Sequence, residues 1–189
     1  MSRKRHTPTP AVIDACCVID LLASGQMEAI LRSTGHIWHL PDSVRAEVQF
    51  IRQHDPARPG SFVTAQVDLS PHLNTGLLTA CQPTGSHEQS LFVQYAAHFR
   101  ADGEATCLAI AESRGWTIAT DDRKAIRVAQ QVGLTVVSSP ALLNAWAVAT
   151  NAGRGTIAQV LTDIQTLARF QPSPSMPNAG WWYRQITSP

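Results

Sequence analysis

Two short apolar runs that each end in aspartate constrain this chain most: Ala11-Val12-Ile13 closing on Asp14, and Trp116-Thr117-Ile118-Ala119-Thr120 closing on Asp121-Asp122. Apolar runs this brief, stopped by a carboxylate, suit strands buried on both faces. Between them lie stretches with helical periodicity, and strands separated by single helices imply a parallel sheet covered on both faces. The expected fold is α/β: a three-layer α/β/α sandwich with a central parallel sheet, plus a C-terminal helical extension.

The same reading along the chain places helices over 16–23 and 26–32, with Ser24-Gly25 and Gly35 as stops. Ile37-Trp38-His39-Leu40 reads as a strand closed by Pro41. Asp42-Ser43 then offers a helix N-cap, and Val44, Val48 and Ile51 recur at helical spacing. Residues 62–69 read as a strand and 88–99 as a helix. An Ala-rich helix over 104–114 ends at Gly115, where a left-handed conformation is wanted. A helix over 123–132, a strand over 134–137 and helices over 141–150 and 156–170 complete the pattern. The expected organisation is a basic arm over 1–9, disordered, a domain over 10–150 with a possible insertion at 54–88, and a helical extension with a Pro-rich tail over 151–189. Segment 55–60 and the tail from Gln171 read as loosely built.

Fifteen basic and fourteen acidic residues leave a formal charge of +1, which excludes a bulk polycation coating nucleic acid but leaves room for a local basic rim. Arg3-Lys4-Arg5-His6 is either a disordered arm or a phosphate-contacting one. The four cysteines form no CxxC pair, and the adjacent Cys16 and Cys17 are poor partners for a disulfide or a zinc site. Cys16, Cys17 and Cys107 sit among apolar residues as small hydrophobes, which suggests a reducing compartment. Asp14 and Asp20 interrupt the only early apolar stretch, so neither a signal peptide nor a membrane span is expected, and the cytoplasm is the expected location.

In an open parallel sheet, ligands collect at the carboxyl ends of the strands. Asp14 and Asp121-Asp122 fall there, and Glu47 and Glu104 lie in helices that follow. Carboxylates held together repel by a few kcal/mol unless a cation sits between them. Oxygen ligands suit Mg²⁺ or Mn²⁺, ions that can activate water and support an in-line phosphoryl displacement. Each residue also has an ordinary reading. Asp14 is equally a helix cap, Glu47 a solvated helix carboxylate, Glu104 a complement to the helix dipole, and Asp121-Asp122 a turn with an N-cap. The joint pattern carries the case.

These residues resemble a known family. Val12-Ile13-Asp14-Ala15-Cys16-Cys17-Val18-Ile19-Asp20-Leu21-Leu22 looks like the opening of PIN-domain nucleases. Leu40-Pro41-Asp42-Ser43-Val44-Arg45-Ala46-Glu47-Val48 is similar to the second block of that family. Asp102-Gly103-Glu104-Ala105-Thr106-Cys107-Leu108-Ala109-Ile110-Ala111 is similar to the third, and Thr120-Asp121-Asp122-Arg123 to the fourth. The resemblance runs over about residues 10 to 140, with the blocks in order, and is nearest to stand-alone PIN proteins related to VapC-type toxins. Segment 54–88 and the chain after about Asn151 are additional to a minimal member.

The resemblance implies a divalent-metal-dependent endoribonuclease leaving 5′-phosphate and 3′-hydroxyl ends. Asp14, Glu47, Glu104 and Asp121 would be catalytic and hold Mg²⁺ or Mn²⁺, with Asp122 as an additional ligand and Thr120 in support. Arg123, Lys124 and Arg127 are candidate RNA contacts, with helix-surface charge as an equal reading. An antitoxin protein and a homodimer are partners the family suggests. A non-catalytic PIN-like module binding RNA or protein is the alternative, and a phosphotransfer receiver ranks below it because no lysine follows Val136-Val137. Trp181-Trp182-Tyr183-Arg184 could stack on bases, although docking of the tail on its own domain or a partner is the stronger reading.

Overall fold

A computed structural model describes residues 8–187. Its central sheet has five parallel strands in the order β5-β2-β1-β6-β7. The chain runs from β1 (Thr9–Ile13) through α1 (Ala15–Ala23) and α2 (Met27–Ser33) to β2 (His36–Pro41) and the short α3 (Asp42–Glu47). A hairpin follows, β3 (Phe50–His54) and β4 (Phe62–Gln66), then α4 (Ser70–Asn74) and β5 (Leu78–Cys81). Next come α5 (Gly85–Ala96), α6 (Asp102–Arg114), β6 (Thr117–Ala119), α7 (Arg123–Gln131), β7 (Val136–Val137) and α8 (Ser139–Thr150). Helix α9 (Arg154–Asp163) continues into a π-helical turn at Ile164–Ala168, and α10 (Ala179–Thr187) ends the described chain. The chain is thus α/β, with a parallel central sheet flanked by helices. Among the described residues, no helix is long and apolar enough to cross a membrane.

The strand order creates the site. From β1 the connections run outward to β2 and β5, then return to β6 and β7 on the other side of β1. Strands β1 and β6 are therefore neighbours at the point where the order reverses, where parallel sheets open a crevice at their carboxyl ends. Their register sets Ile13 beside Ala119, so Asp14 and Thr120 emerge side by side. The Asp14 N–H donates to the Ala119 carbonyl at 2.9 Å and fixes that alignment. On one side, α6 packs on β1, β2 and β6. Its buried face is largely small, with Ala105, Ala109 and Ala111 fully covered, which lets the helix approach the strands. Gly115 ends α6 at φ +64°, as its position predicts.

Several expectations need correction. Helix α3 stops at Glu47, and its cap is Pro41 with no side-chain hydrogen bond, so neither Asp42 nor Ser43 caps it. Val48 and Ile51 are buried, but Ile51 belongs to β3. The strand expected over 62–69 ends at Gln66. Segment 54–88 is not wholly an insertion, because β5 is an edge strand of the central sheet, paired with β2. Nor is the 55–60 turn loose. The buried Asp55 carboxylate accepts from Ala57 N at 2.9 Å, Arg58 Nε at 3.0 Å and Ser61 Oγ at 3.2 Å, and closes the hairpin. The basic arm lies, through residue 7, outside the described residues, and Thr9 already belongs to β1.

The tail from Gln171, expected to be loosely built, packs on the fold, in line with the stronger reading that its aromatic end docks on its own domain. Trp182 is fully buried and belongs to the same hydrophobic cluster as β1, α1 and α6. Phe170 meets its ring edge-on at 5.7 Å, and the Tyr183 hydroxyl donates to the Pro172 carbonyl at 2.6 Å. The extension is docked on its own domain, and Trp182 faces the core rather than a nucleic acid.

Candidate active site

Asp14 follows β1 directly and is 1% exposed. It is the N-cap of α1: Oδ1 accepts the Ala15 N–H at 2.7 Å, while Oδ2 accepts the Thr120 hydroxyl at 2.7 Å and the Cys16 thiol at 3.4 Å. Cap and site residue are therefore the same side chain. Burial raises its pKa to about 6, against the lowering by Thr120, and the charge on Glu104 raises it further. Thr120 is itself buried; its hydroxyl accepts the Asp122 N–H at 3.2 Å while donating to Asp14, so the threonine positions the carboxylate.

Glu104 lies in the first turn of α6, and its Oε2 is buried with no hydrogen-bond partner. A buried carboxylate oxygen with no hydrogen-bond partner is an exception in a folded chain and leaves a coordination position unfilled. Glu47, at the end of α3, reaches across to α6, where its Oε1 accepts the Gly103 N–H at 2.7 Å. Partial burial raises the Glu47 pKa, followed by the charges on Glu104 and Asp102. Gly103 makes this approach possible, since a Cβ there would sit 2.8 Å from Glu47 Oε1. A bidentate pair from Arg114 to Glu88, at 2.6 and 2.8 Å, ties α6 to α5 behind the site.

The charge on Glu104 thus bears on both Asp14 and Glu47 and disfavours the ionised form of each. Asp121, expected alongside these acids, has a buried carboxylate that accepts the Ser139 N–H at 3.0 Å and the Cys17 thiol at 3.3 Å. The start of α8 supplies that amide, a helix N-terminus that favours a carboxylate. Asp121 therefore ties β6 to α1 and α8. Asp122, expected as a further ligand, is committed to capping α7, with Oδ1 accepting from Lys124 N at 2.8 Å and Ala125 N at 2.7 Å.

Three further groups escape sequence reasoning. Cys16 is a wedge between the two aspartates, since it also accepts the Asp121 N–H at 3.2 Å. Asp20 is buried beside Asp121, and burial first, then Asp121, pushes its pKa well above the usual range. Its spacing of six from Asp14 carries no motif signal. Gly103 is the one with a readable signal, a glycine inside a helical turn between two acids. Cys16 Sγ, Cys17 Sγ and an Asp121 oxygen lie within 4.8 Å of one another, but these donors already satisfy each other.

Of the candidate RNA contacts, Lys124 is engaged elsewhere: its ammonium donates to the His98 carbonyl and lies 4.9 Å from the centre of the Phe99 ring. Arg123 and Arg127 are exposed on α7.

Asp14→Asn tests the electrostatic account by a stability readout. An acid whose pKa is raised by folding loses stability as pH climbs through the range between its unfolded and folded values, here from about 4 to about 6. Above that range the wild type carries a buried charge that asparagine does not. In chelator at pH 7.5 the variant is expected to be more stable by about 2 kcal/mol, or roughly 5 °C in Tm. At pH 4 the difference should vanish. A variant that melts earlier at both pH values would make Asp14 a structural cap first.

No family model matches this chain, and no curated protein matches it.

Proposed function

We propose that the chain is a PIN-like nuclease, with a three-layer α/β/α architecture, that hydrolyses RNA phosphodiester bonds with a divalent cation. The buried, unpartnered Glu104 oxygen beside buried Asp14 is the observation that carries this reading. The donor set fits a hard cation: Asp14 and Glu104 supply oxygens, and Glu47 supplies a third from the exposed side. Mg²⁺ or Mn²⁺, when bound, activates water and offsets charge building on the phosphoryl oxygens.

The residues of the chain do the rest. Thr120 and the Ala15 amide hold the Asp14 carboxylate in one rotamer. Glu47, held by the Gly103 amide, sits at the open edge, where substrate arrives. Asp121 and Asp122 keep β6 and α7 in place behind the carboxylates. A toxin role beside an antitoxin protein, and assembly as a homodimer, belong to this reading through the PIN resemblance.

Cleavage of a labelled single-stranded RNA is expected to require added Mn²⁺ or Mg²⁺ and to stop in chelator. A second readout does not depend on turnover. Mn²⁺ at a hundred times its Kd should stabilise the wild type by about 2.7 kcal/mol through linkage. Chelator-resistant cleavage, or a Tm indifferent to Mn²⁺, would overturn the proposal.

A further inference from the structure

One cluster of donors takes no part in the carboxylate site above, and it is built from sulfur as well as oxygen. Cys16, Cys17 and Asp20 share α1, with Asp20 four residues from one cysteine and three from the other, the spacings that bring side chains to one helix face. Asp121 reaches them from the end of β6. Cys17 Sγ donates to Asp121 Oδ2 at 3.3 Å, and the Asp121 N–H donates to Cys16 Sγ at 3.2 Å. Adjacent cysteines are poor zinc partners by spacing alone, yet here the two sulfurs and an Asp121 oxygen lie within 4.8 Å of one another.

What the cluster lacks is a positive charge. Asp20 is 3% exposed, and its Oδ2 has no hydrogen-bond partner. After burial itself, the Asp121 carboxylate is the strongest influence raising its pKa, which sets the two acids side by side. Ser139, whose amide holds Asp121, has its own hydroxyl buried without a partner as well. Among the described residues, no Lys or Arg forms a salt bridge with Asp20 or Asp121. Two neighbouring buried carboxylates either share a proton or hold a cation. The two sulfurs at Asp121 are superfluous to a shared proton, and they are the donors that a borderline-soft cation selects.

We propose that Cys16, Cys17, Asp20 and Asp121 form a closed site for a zinc-class divalent cation, distinct from the Mg²⁺ or Mn²⁺ site of the nuclease reading and independent of it. In a zinc tetrahedron with bonds of ~2.3 Å to sulfur and ~2.1 Å to oxygen, neighbouring donors stand about 3.5–4 Å apart. The Cys17–Asp121 pair is close to that spacing already, and the other donors within 4.8 Å need draw in by about an ångström. Binding exchanges both thiol protons, released to solvent, for the cation. The first turn of α1 favours the resulting thiolates, and the Asp121 N–H continues to donate to Cys16. Four protein donors leave no position for water, so the site is structural and ties α1 to the end of β6. Half-buried Cys16 is the side from which the cation enters.

The test uses the full chain, stripped with chelator, kept reduced with a phosphine and titrated with Co²⁺ and then Zn²⁺. Co²⁺ is expected to bring up a sulfur-to-cobalt charge-transfer band, which a site of carboxylates alone does not give, and excess Mg²⁺ should leave that band in place. Zn²⁺ should displace the Co²⁺ and, at a hundred times its Kd, raise Tm by roughly 5–10 °C. Cys17→Ser removes one sulfur and should weaken the band. Asp20→Asn keeps both sulfurs and removes a buried charge, so it should fold and still give the band. Its Co²⁺ affinity should fall at least ~10-fold, since even an outer partner of a metal ligand is worth ~10–100-fold. Glu104→Gln, in the other site, should change neither band nor affinity. A wild-type chain without the band would overturn the proposal and leave Asp20 and Asp121 sharing a proton. A band undiminished by Cys17→Ser would overturn it too, as would an Asp20→Asn affinity equal to that of wild type.

Discussion

Glu104→Gln is expected to lower RNA cleavage at least ~100-fold, the scale at which loss of one preorganised electrostatic contribution is felt, while the protein stays folded. Glutamine keeps the shape of the side chain and removes the charge that a hard cation needs. Three observations converge on this position. Glu104 leaves an oxygen buried without a partner. Its charge raises the pKa of both Asp14 and Glu47. It also lies in the first turn of α6, the helix that packs on β1 and β6, at whose ends Asp14 and Thr120 emerge. The same three make an opposite prediction for stability. Without metal, removing the charge relieves Asp14, so the variant should melt no earlier than wild type in chelator and should lose most of the Mn²⁺-induced rise in Tm. Lost activity paired with a retained or higher Tm separates a ligand from a structural residue. A folded variant with near-normal turnover would remove Glu104 from the mechanism.

The positions of the acids were legible in the chain because strand ends are legible. An apolar run stopped by aspartate marks the carboxyl edge of a parallel sheet, and Asp14 and Thr120 emerge there side by side. Where each carboxylate points was not legible. Asp121 is held by the Ser139 amide and the Cys17 thiol, and Ser139 is eighteen residues away in sequence. Periodicity also misleads near α3. Val44, Val48 and Ile51 are all buried, so their spacing reported burial faithfully, but burial continues through a turn into β3 rather than along a helix. Strand β5 escaped notice because Leu78-Thr79-Ala80-Cys81 is short and buries only Leu78 fully, as an edge strand can. Prolines at 172, 174 and 177 prevent regular structure before α10, but they do not prevent packing after it.

Trp182→Ala is the second large effect, and it decides whether the extension is part of the fold. Trp182 is among the largest fully buried side chains in the chain, and α10 packs on α8 and α9. Truncating a buried tryptophan to alanine costs ~3–5 kcal/mol through lost transfer free energy and the cavity left behind. One term runs the other way. The indole Nε1 is buried with no partner, and removing an unsatisfied donor returns ~1–3 kcal/mol. The transfer and cavity terms are larger, so the net loss should be about 2–3 kcal/mol, or roughly 5–10 °C in Tm for a chain of this length. Trp182→Phe separates the two terms, since phenylalanine keeps most of the ring against Phe170 and discards the unpaired N–H. It should therefore recover most of the stability that alanine loses. A Trp182→Ala protein with wild-type Tm would make α10 an appendage, and the core would then end with α9 and its π-helical turn.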